Sequence, residues 1–75
     1  MKVNAGDLVE FIDSGYWVNE IQGKSGIIKK VIGEGLFRVV IVIPELNREV
    51  FVSLTDFESG NIRIKRENSK WKQNI

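Results

Sequence analysis

Short runs of β-branched and aromatic residues, separated by Gly, Asn, Asp and Pro, dominate this sequence. Nowhere does a window of about eleven residues carry apolar side chains at helical spacing without a glycine interrupting it. Runs of this length and composition are typical of β-strands bounded by turns. The chain is therefore expected to fold as a small all-β protein rather than around helices.

Strands and turns can be assigned along most of the chain. The strands are expected at residues 8–12, 26–32, 36–43, 49–53 and 61–65. Gly33-Glu34-Gly35 predicts a tight hairpin in which glycine supplies a positive φ. Pro44 ends the third strand because it cannot donate a hydrogen bond to a ladder. Residues 54–58 are expected to form a short 3₁₀-like turn before the last strand.

These elements predict a small five-stranded barrel over residues 1–66, in which closure removes the exposed edges of the sheet. A flexible basic tail is expected over residues 67–75. The chain has 75 residues, which is enough for one domain. We find no second domain, linker or internal repeat in the pattern.

The chain contains no cysteine and no histidine. Disulfides, thiolate metal sites and zinc sites are therefore excluded, as are catalytic triads built on histidine. The carboxylates of Glu10, Asp13 and Glu20 show no spacing that favours an acid–base pair over ordinary solvated acids. We expect a protein that is not an enzyme and that carries no cofactor or metal.

The longest apolar run, residues 39–43, is far too short to span a membrane. The residues that follow Met1 contain no apolar signal core. A soluble cytoplasmic protein without a membrane partner is expected. The richness of the chain in Ile, Lys and Asn is typical of an AT-rich coding genome, such as that of a bacterium or phage.

Charge is divided unevenly along the chain. Residues 1–60 hold six Lys/Arg and nine Asp/Glu, a balance of −3, whereas residues 61–75 hold five Lys/Arg and one Glu, a balance of +4. Cations neutralise phosphates, and an aromatic ring such as that of Trp71 can stack on an unpaired base. The predicted nucleic-acid-binding residues are Lys24, Lys29, Lys30, Arg63, Lys65, Arg66, Lys70, Trp71 and Lys72. The alternative is a solubilising tail whose Trp71 folds back on the barrel.

A second candidate surface lies in the long polar stretch between the first two strands. Tyr16 and Trp17 combine rigid apolar area with a polar tip, and such side chains anchor interfaces. Asp13 and Glu20 flank the two rings and would pair with a basic segment of a partner. These four residues predict a protein-docking loop, unless one of the rings only caps an open end of the barrel.

The third predicted strand is apolar on both faces. Val40 and Val42 share the face opposite to that of Val39, although a strand buried on one side should alternate. Strong coiling of the sheet would bury both faces, and we favour this interpretation. Otherwise Val40 and Val42 would form an exposed patch through which the chain joins a partner or a second copy.

Glycines and aliphatic residues recur at a set spacing around the first two strands. Gly6-Asp7 enters the first strand, and Gly23-Lys24-Ser25-Gly26 precedes Ile28 and Val31, which stand two and five positions after the last glycine. This pattern resembles the KOW motif of certain ribosomal proteins and of NusG-type transcription elongation factors. The resemblance covers residues 6–42. It implies an SH3-like barrel that binds RNA or acts on a transcription or translation complex.

The offset of Ile28 and Val31 breaks strict alternation, which predicts a β-bulge near Lys29-Lys30. Gly23 and Gly26 are expected to permit a sharp re-entry into the barrel. In one respect the chain departs from the KOW pattern, because residues 13–23 form a longer loop that carries no basic residue. The departure argues against RNA binding through this loop.

A second, local similarity involves the aromatic loop. The segment Tyr16-Trp17-Val18-Asn19-Glu20, followed by a Gly and an aliphatic strand, is similar to the small SH3-like photosystem I subunit IV. That family docks a redox partner protein, and SH3-like domains use their first long loop for peptide recognition. The similarity implies a docking role and not photosynthesis.

The sequence thus predicts a non-enzymatic binding module. The first hypothesis is weak, sequence-independent binding of RNA or DNA, or association with a machine that acts on nucleic acid. The alternative is a protein-docking module that uses Tyr16 and Trp17, as an inhibitor of a host protein would.

Overall fold

Five β-strands run through the computed structural model, which describes residues 3–33 and 38–65. They are β1 (Leu8–Phe11), β2 (Ser25–Val31), β3 (Val39–Ile43), β4 (Arg48–Val52) and β5 (Ile62–Lys65). All five predicted strands are confirmed, and apart from the start of β3 their ends lie within one residue of the prediction. Residues 36 and 37, predicted to begin the third strand, lie outside the described residues, as does the predicted tail.

The strands form one antiparallel sheet in the order β4-β3-β2-β1-β5. Leu8 of β1 pairs with Ile27 of β2 on one side and with Lys65 of β5 on the other. Within the described residues no backbone hydrogen-bond ladder joins β4 to β5. These two strands are therefore the edges of the sheet, whereas closure into a barrel was expected to remove such edges. The chain is the small all-β fold that its strand pattern predicts.

One face of the sheet holds the hydrophobic core. Its members are Val9, Phe11, Ile21, Ile28, Val39, Ile41, Ile43, Val52, Phe57 and Ile62. Burial of an aliphatic or Phe side chain of this kind contributes about 1.5–3 kcal/mol. Side chains from outside the sheet also pack in this core, among them Ile21 and Trp17 of the loop between β1 and β2 and Phe57 of a five-residue helix.

The predicted bulge in β2 is confirmed. Ile28 pairs with Ile41 of β3, but the next pair joins Lys30 to Val40, so Lys29 is an extra residue in the strand. An extra residue of this kind bends its strand and shifts the following side chains relative to the alternation. As a result Lys29 and Lys30 are both exposed.

The glycines before β2 have two different roles. Gly23 adopts a φ of 75°, in the left-handed region, as its predicted place in the sharp re-entry requires. Gly26 has no positive φ. It is needed for packing, since a Cβ built there would lie 2.6 Å from Cγ2 of Ile41 and 2.9 Å from the carbonyl oxygen of Val42.

One turn prediction is corrected. The segment before β5 is a short α-helix, α1 (Leu54–Glu58), and not a 3₁₀-like turn. The backbone N–H of Ser53 donates to the carboxylate of Asp56 at 3.1 Å, which holds the first turn in helical geometry. The 3₁₀ turn lies instead at Pro44–Leu46, where Pro44 ends β3 as expected. Gly33 does not adopt a positive φ, and the other two residues of the predicted hairpin turn, Glu34 and Gly35, lie outside the described residues.

Candidate nucleic-acid interface and aromatic loop

The side chains that point away from the core form a solvent-facing surface, here called the outer face. Successive side chains of a strand alternate between the two faces, and residues paired across strands share a face. The outer face comprises Leu8 and Glu10 of β1, Ser25, Ile27, Lys29 and Lys30 of β2, Val40 and Val42 of β3, Glu49 and Phe51 of β4, and Arg63 and Lys65 of β5. Every strand of the sheet therefore contributes to this surface.

Positive charge is concentrated on the outer face. Its four cations are Lys29, Lys30, Arg63 and Lys65, and its two carboxylates are those of Glu10 and Glu49, which gives a balance of +2. The described residues as a whole carry seven Lys/Arg and eight Asp/Glu, a balance of −1. The remainder of the described chain therefore carries −3. Lys29 and Lys30 are balanced on this face by Glu10 and Glu49, so its excess of +2 comes from Arg63 and Lys65 of β5.

Two of the four cations on the outer face are paired with carboxylates on the same face. The Nζ atom of Lys29 lies 2.6 Å from Oε2 of Glu49, and Arg63 forms an ion pair with Glu10. Pairs this exposed contribute about 0–1 kcal/mol each, so a phosphate can compete for either cation. The two ion pairs lower the net positive charge of the outer face, but they leave Lys29 and Arg63 accessible to a phosphate.

The other two cations have no carboxylate partner within the described residues. Lys30 forms no ion pair there, and the Nζ of Lys65 donates a hydrogen bond of 2.8 Å to the hydroxyl of Ser25. Lys65 is the last described residue before Arg66. The remaining predicted nucleic-acid-binding residues, Arg66, Lys70, Trp71 and Lys72, lie outside the described residues.

Lys24 lies off the outer face, in the loop before β2. Its Nζ is 3.0 Å from Oε2 of Glu45, in the 3₁₀ turn. The structure thus brings four of the five described candidates for nucleic-acid binding onto one surface and leaves Lys24 apart from them.

An exposed aromatic ring stands among the cations of the outer face. Phe51 of β4 is 55% exposed. It pairs with Val40 of β3, whose partner on the other side is Lys30. Our prediction of nucleic-acid-binding residues missed Phe51, although its position between the inward-facing Val50 and Val52 indicates an outward side chain.

Val40 and Val42 do not form the exposed patch considered as an alternative. Val40 is only 2% exposed, although it points to the outer face and does not belong to the core cluster. Other side chains therefore close over it. Val42 is half-buried, and the exposed apolar area of this face belongs mainly to Phe51 and Ile27.

In the aromatic loop, Trp17 has a structural role. Its ring is half-buried against the core and meets Phe11 edge to face, with ring centroids 5.0 Å apart. Its indole N–H donates to the carbonyl oxygen of Asn61 at 2.9 Å. Trp17 thereby ties the loop to the segment before β5, and it is the ring that packs on the fold.

Tyr16 is the exposed ring of the loop. It is 59% exposed, meets Trp17 edge to face at 4.7 Å, and donates from its hydroxyl to Oδ1 of Asp56 at 3.1 Å. This hydrogen bond and the negative charge of Asp56 raise the pKa of Tyr16 above its usual value of about 10. The neighbouring Val18 is also exposed.

The acidic residues of the predicted docking loop differ in their surroundings. Glu20 pairs with Arg48 at 3.1 Å, whereas Asp13 is exposed and forms no ion pair within the described residues. The exposed apolar area available to a protein partner in this loop is therefore that of Tyr16 and Val18 and not that of Trp17.

Comparisons with protein-family models, with curated proteins and with solved structures find no match to this chain. Within residues 3–33 and 38–65, no three acidic side chains gather in a way that could hold a metal ion. No helix in the same residues is long and apolar enough to cross a membrane. Function is therefore inferred from the geometry of the outer face and of the aromatic loop.

Proposed function

We propose that this protein is a non-enzymatic, KOW-like binding module that contacts nucleic acid weakly and without sequence preference, as an accessory of a transcription or translation complex. The observation that carries the proposal is the charge of the outer face, +2 on a described chain whose remainder carries −3. A surface of this kind attracts the phosphate backbone and orients the protein toward it.

The strength of such binding can be bounded from the number of cations. If Lys29, Lys30, Arg63 and Lys65 each met a phosphate, log affinity would fall with log salt at a slope of about −3.6 on duplex and about −2.8 on a single strand. The carboxylates of Glu10 and Glu49 remain beside two of these cations and oppose a phosphate there. The module is therefore expected to bind in the micromolar range or weaker and to release its ligand readily at physiological salt.

Local features around the first two strands support the KOW-like part of the proposal. Gly23 has the left-handed φ that the motif's tight entry needs, and the bulge at Lys29 follows from the spacing of Ile28 and Val31. These features belong to the same segment that carries Lys29 and Lys30. The proposed contact surface and the segment that resembles the motif thus overlap.

The test is fluorescence anisotropy with labelled single-stranded and duplex oligonucleotides, measured from low to physiological salt. The double variant Lys30→Glu with Lys65→Glu reverses the two cations that have no carboxylate partner among the described residues. We expect it to abolish binding to both oligonucleotides. Thermal unfolding of the variant checks that the fold is retained.

A matched control changes the net charge by the same amount away from the outer face. Lys24→Glu with Arg48→Glu also replaces two cations by two anions, and we expect it to retain most of the binding. An equal loss in both double variants would assign the effect to net charge and not to this surface. No binding by the unmodified protein at low salt would refute the proposed function.

A second candidate function is protein docking through the aromatic loop, which the exposure of Tyr16 and Val18 favours. Pull-down of a partner should then fail with Val18→Ser and persist with Ile27→Ser, which removes exposed apolar area from the outer face instead. Loss in both variants or in neither would contradict docking at this loop. Trp17 is unsuitable for the test because it supports the fold.

A further inference from the structure

Phe51 is the most exposed apolar side chain on the described outer face. It is 55% exposed, whereas its cross-strand neighbour Val40 is 2% exposed. The ring lies on β4, an edge of the sheet within the described residues, so no further strand restricts access to it from that side. It therefore stands as an open aromatic surface on an otherwise polar and aliphatic face.

Cations flank this ring in two directions. Lys30 lies across β3 from Phe51, in the row Lys30–Val40–Phe51, at a distance of about two strand spacings, roughly 10 Å between backbones. Lys29 is held near β4 by its ion pair with Glu49, which shares the outer face with Phe51 two positions along the strand. A ligand seated on the ring would thus have an ammonium group within reach both across and along the sheet.

An exposed ring beside ammonium groups is the arrangement used to bind unpaired nucleic acid, since bases stack on the ring while cations neutralise the phosphates. We propose that Phe51 is a stacking platform for one unpaired base and that Lys29 and Lys30 bind phosphates of the same strand. The proposal deepens the proposed function and rests on it. It names the ligand class as single-stranded RNA or DNA, because the bases of an intact duplex are stacked on each other and cannot reach the ring.

Charge argues against a second copy of the chain as the occupant. A closed pair of identical chains joins through the same patch on both copies. Such a pair would place against each other two faces that each carry +2. Like charges placed opposite one another disfavour this contact, whereas a phosphate backbone is complementary to it.

Two substitutions of Phe51 distinguish stacking by an aromatic ring from contact with any apolar side chain. Phe51→Leu keeps an apolar side chain but removes the stacking surface, and Phe51→Trp keeps that surface. Anisotropy on a single strand and on a duplex of the same length should show that Phe51→Leu weakens single-strand binding about fivefold to 150-fold. Phe51→Trp should bind the single strand at least as well as the unmodified protein, and duplex affinity should be unchanged in both variants.

Other outcomes overturn the proposal in distinguishable ways. Unchanged single-strand affinity in Phe51→Leu, together with loss in Lys30→Glu/Lys65→Glu, would remove the stacking role and leave the proposed function standing. An equal loss on single strand and duplex would assign Phe51 to the structure of the face. A dimer in sedimentation that Phe51→Leu dissociates would assign the ring to a second copy. Absence of binding to either oligonucleotide would refute both proposals.

Discussion

Among single residues, the two neighbouring aromatic side chains of the first loop differ in burial: one packs on the core and the other is exposed to solvent. Trp17 packs edge to face on Phe11 and donates to the Asn61 carbonyl, so its ring is fixed from two sides. Tyr16 keeps most of its ring in solvent and is restrained mainly at its hydroxyl by Asp56. Sequence reasoning expected one of the two rings to be structural, but only the tertiary contacts identify which one.

The bond between Tyr16 and Asp56 predicts a specific titration. The neutral phenol donates to the carboxylate, so the pKa of Tyr16 is raised in the folded protein. Its contribution to stability is therefore fully present below the unfolded pKa of about 10 and is lost as pH rises through the folded pKa. The chain has one tyrosine, so phenolate absorbance reports on this residue alone.

Asp56→Asn should move the pKa of Tyr16 back toward its usual value, because it removes the negative charge beside the phenol. Asp13→Asn, the same substitution placed in the loop that carries Tyr16, should leave the titration unaltered. If both variants shifted the absorbance curve equally, a general effect of charge and not the hydrogen bond would be responsible.

Among the secondary-structure elements, the strands were predictable and the close contacts between them were not. Runs such as β3 have no local alternative to a strand, and the spacing of Ile28 and Val31 is sufficient to predict the bulge. The role of Gly26 depends on Ile41 and Val42, which approach it only when β2 pairs with β3. The α1 helix replaces the expected 3₁₀ turn, and the Ser53–Asp56 spacing of its capping box was a signal in the sequence that the prediction did not use.

The close approach at Gly26 predicts a strong effect of one methyl group. Gly26→Ala would place a Cβ within 2.6 Å of Ile41 Cγ2 and 2.9 Å of a backbone oxygen, so β2 or β3 must shift. We expect the free energy of unfolding, measured by urea denaturation, to fall by about 1–3 kcal/mol. Gly33→Ala is the control, since a Cβ there meets no atom within 4 Å and φ is not positive. Equal stability of the two variants would contradict this account.

For the whole molecule, the decisive property is the distribution of charge over surfaces. The sequence indicated a mildly acidic body with a basic end, and it did not indicate that Arg63 and Lys65 of that end share a surface with Lys29 and Lys30 of the body. That surface arises because the register brings Arg63 and Lys65 of β5 to the same side of the sheet as Lys29 and Lys30 of β2. The comparison of Lys30→Glu/Lys65→Glu with Lys24→Glu/Arg48→Glu therefore tests a property of the fold and not of any single residue.

The register also decides which predicted candidates act together. Ion pairs such as Lys29 with Glu49 join residues that are distant in sequence, so no local pattern reveals them. Phe51 could be recognised as outward-facing from alternation alone, but its neighbours Val40 and Lys30 follow only from the pairing of three strands. The aromatic and cationic parts of the proposed site therefore become one site only in the folded sheet.

The carboxylates of Glu10 and Glu49 act as competitors that are tethered to the protein. A mobile anion displaced from Lys29 or Arg63 would diffuse away, whereas these two remain attached and return at an effective concentration on the order of millimolar or higher. Each is always present to recapture its cation when a phosphate loosens. Competition from these carboxylates shortens the time that a nucleic-acid ligand stays bound to the outer face. The face is therefore suited to a ligand that exchanges repeatedly and not to one that is held for long.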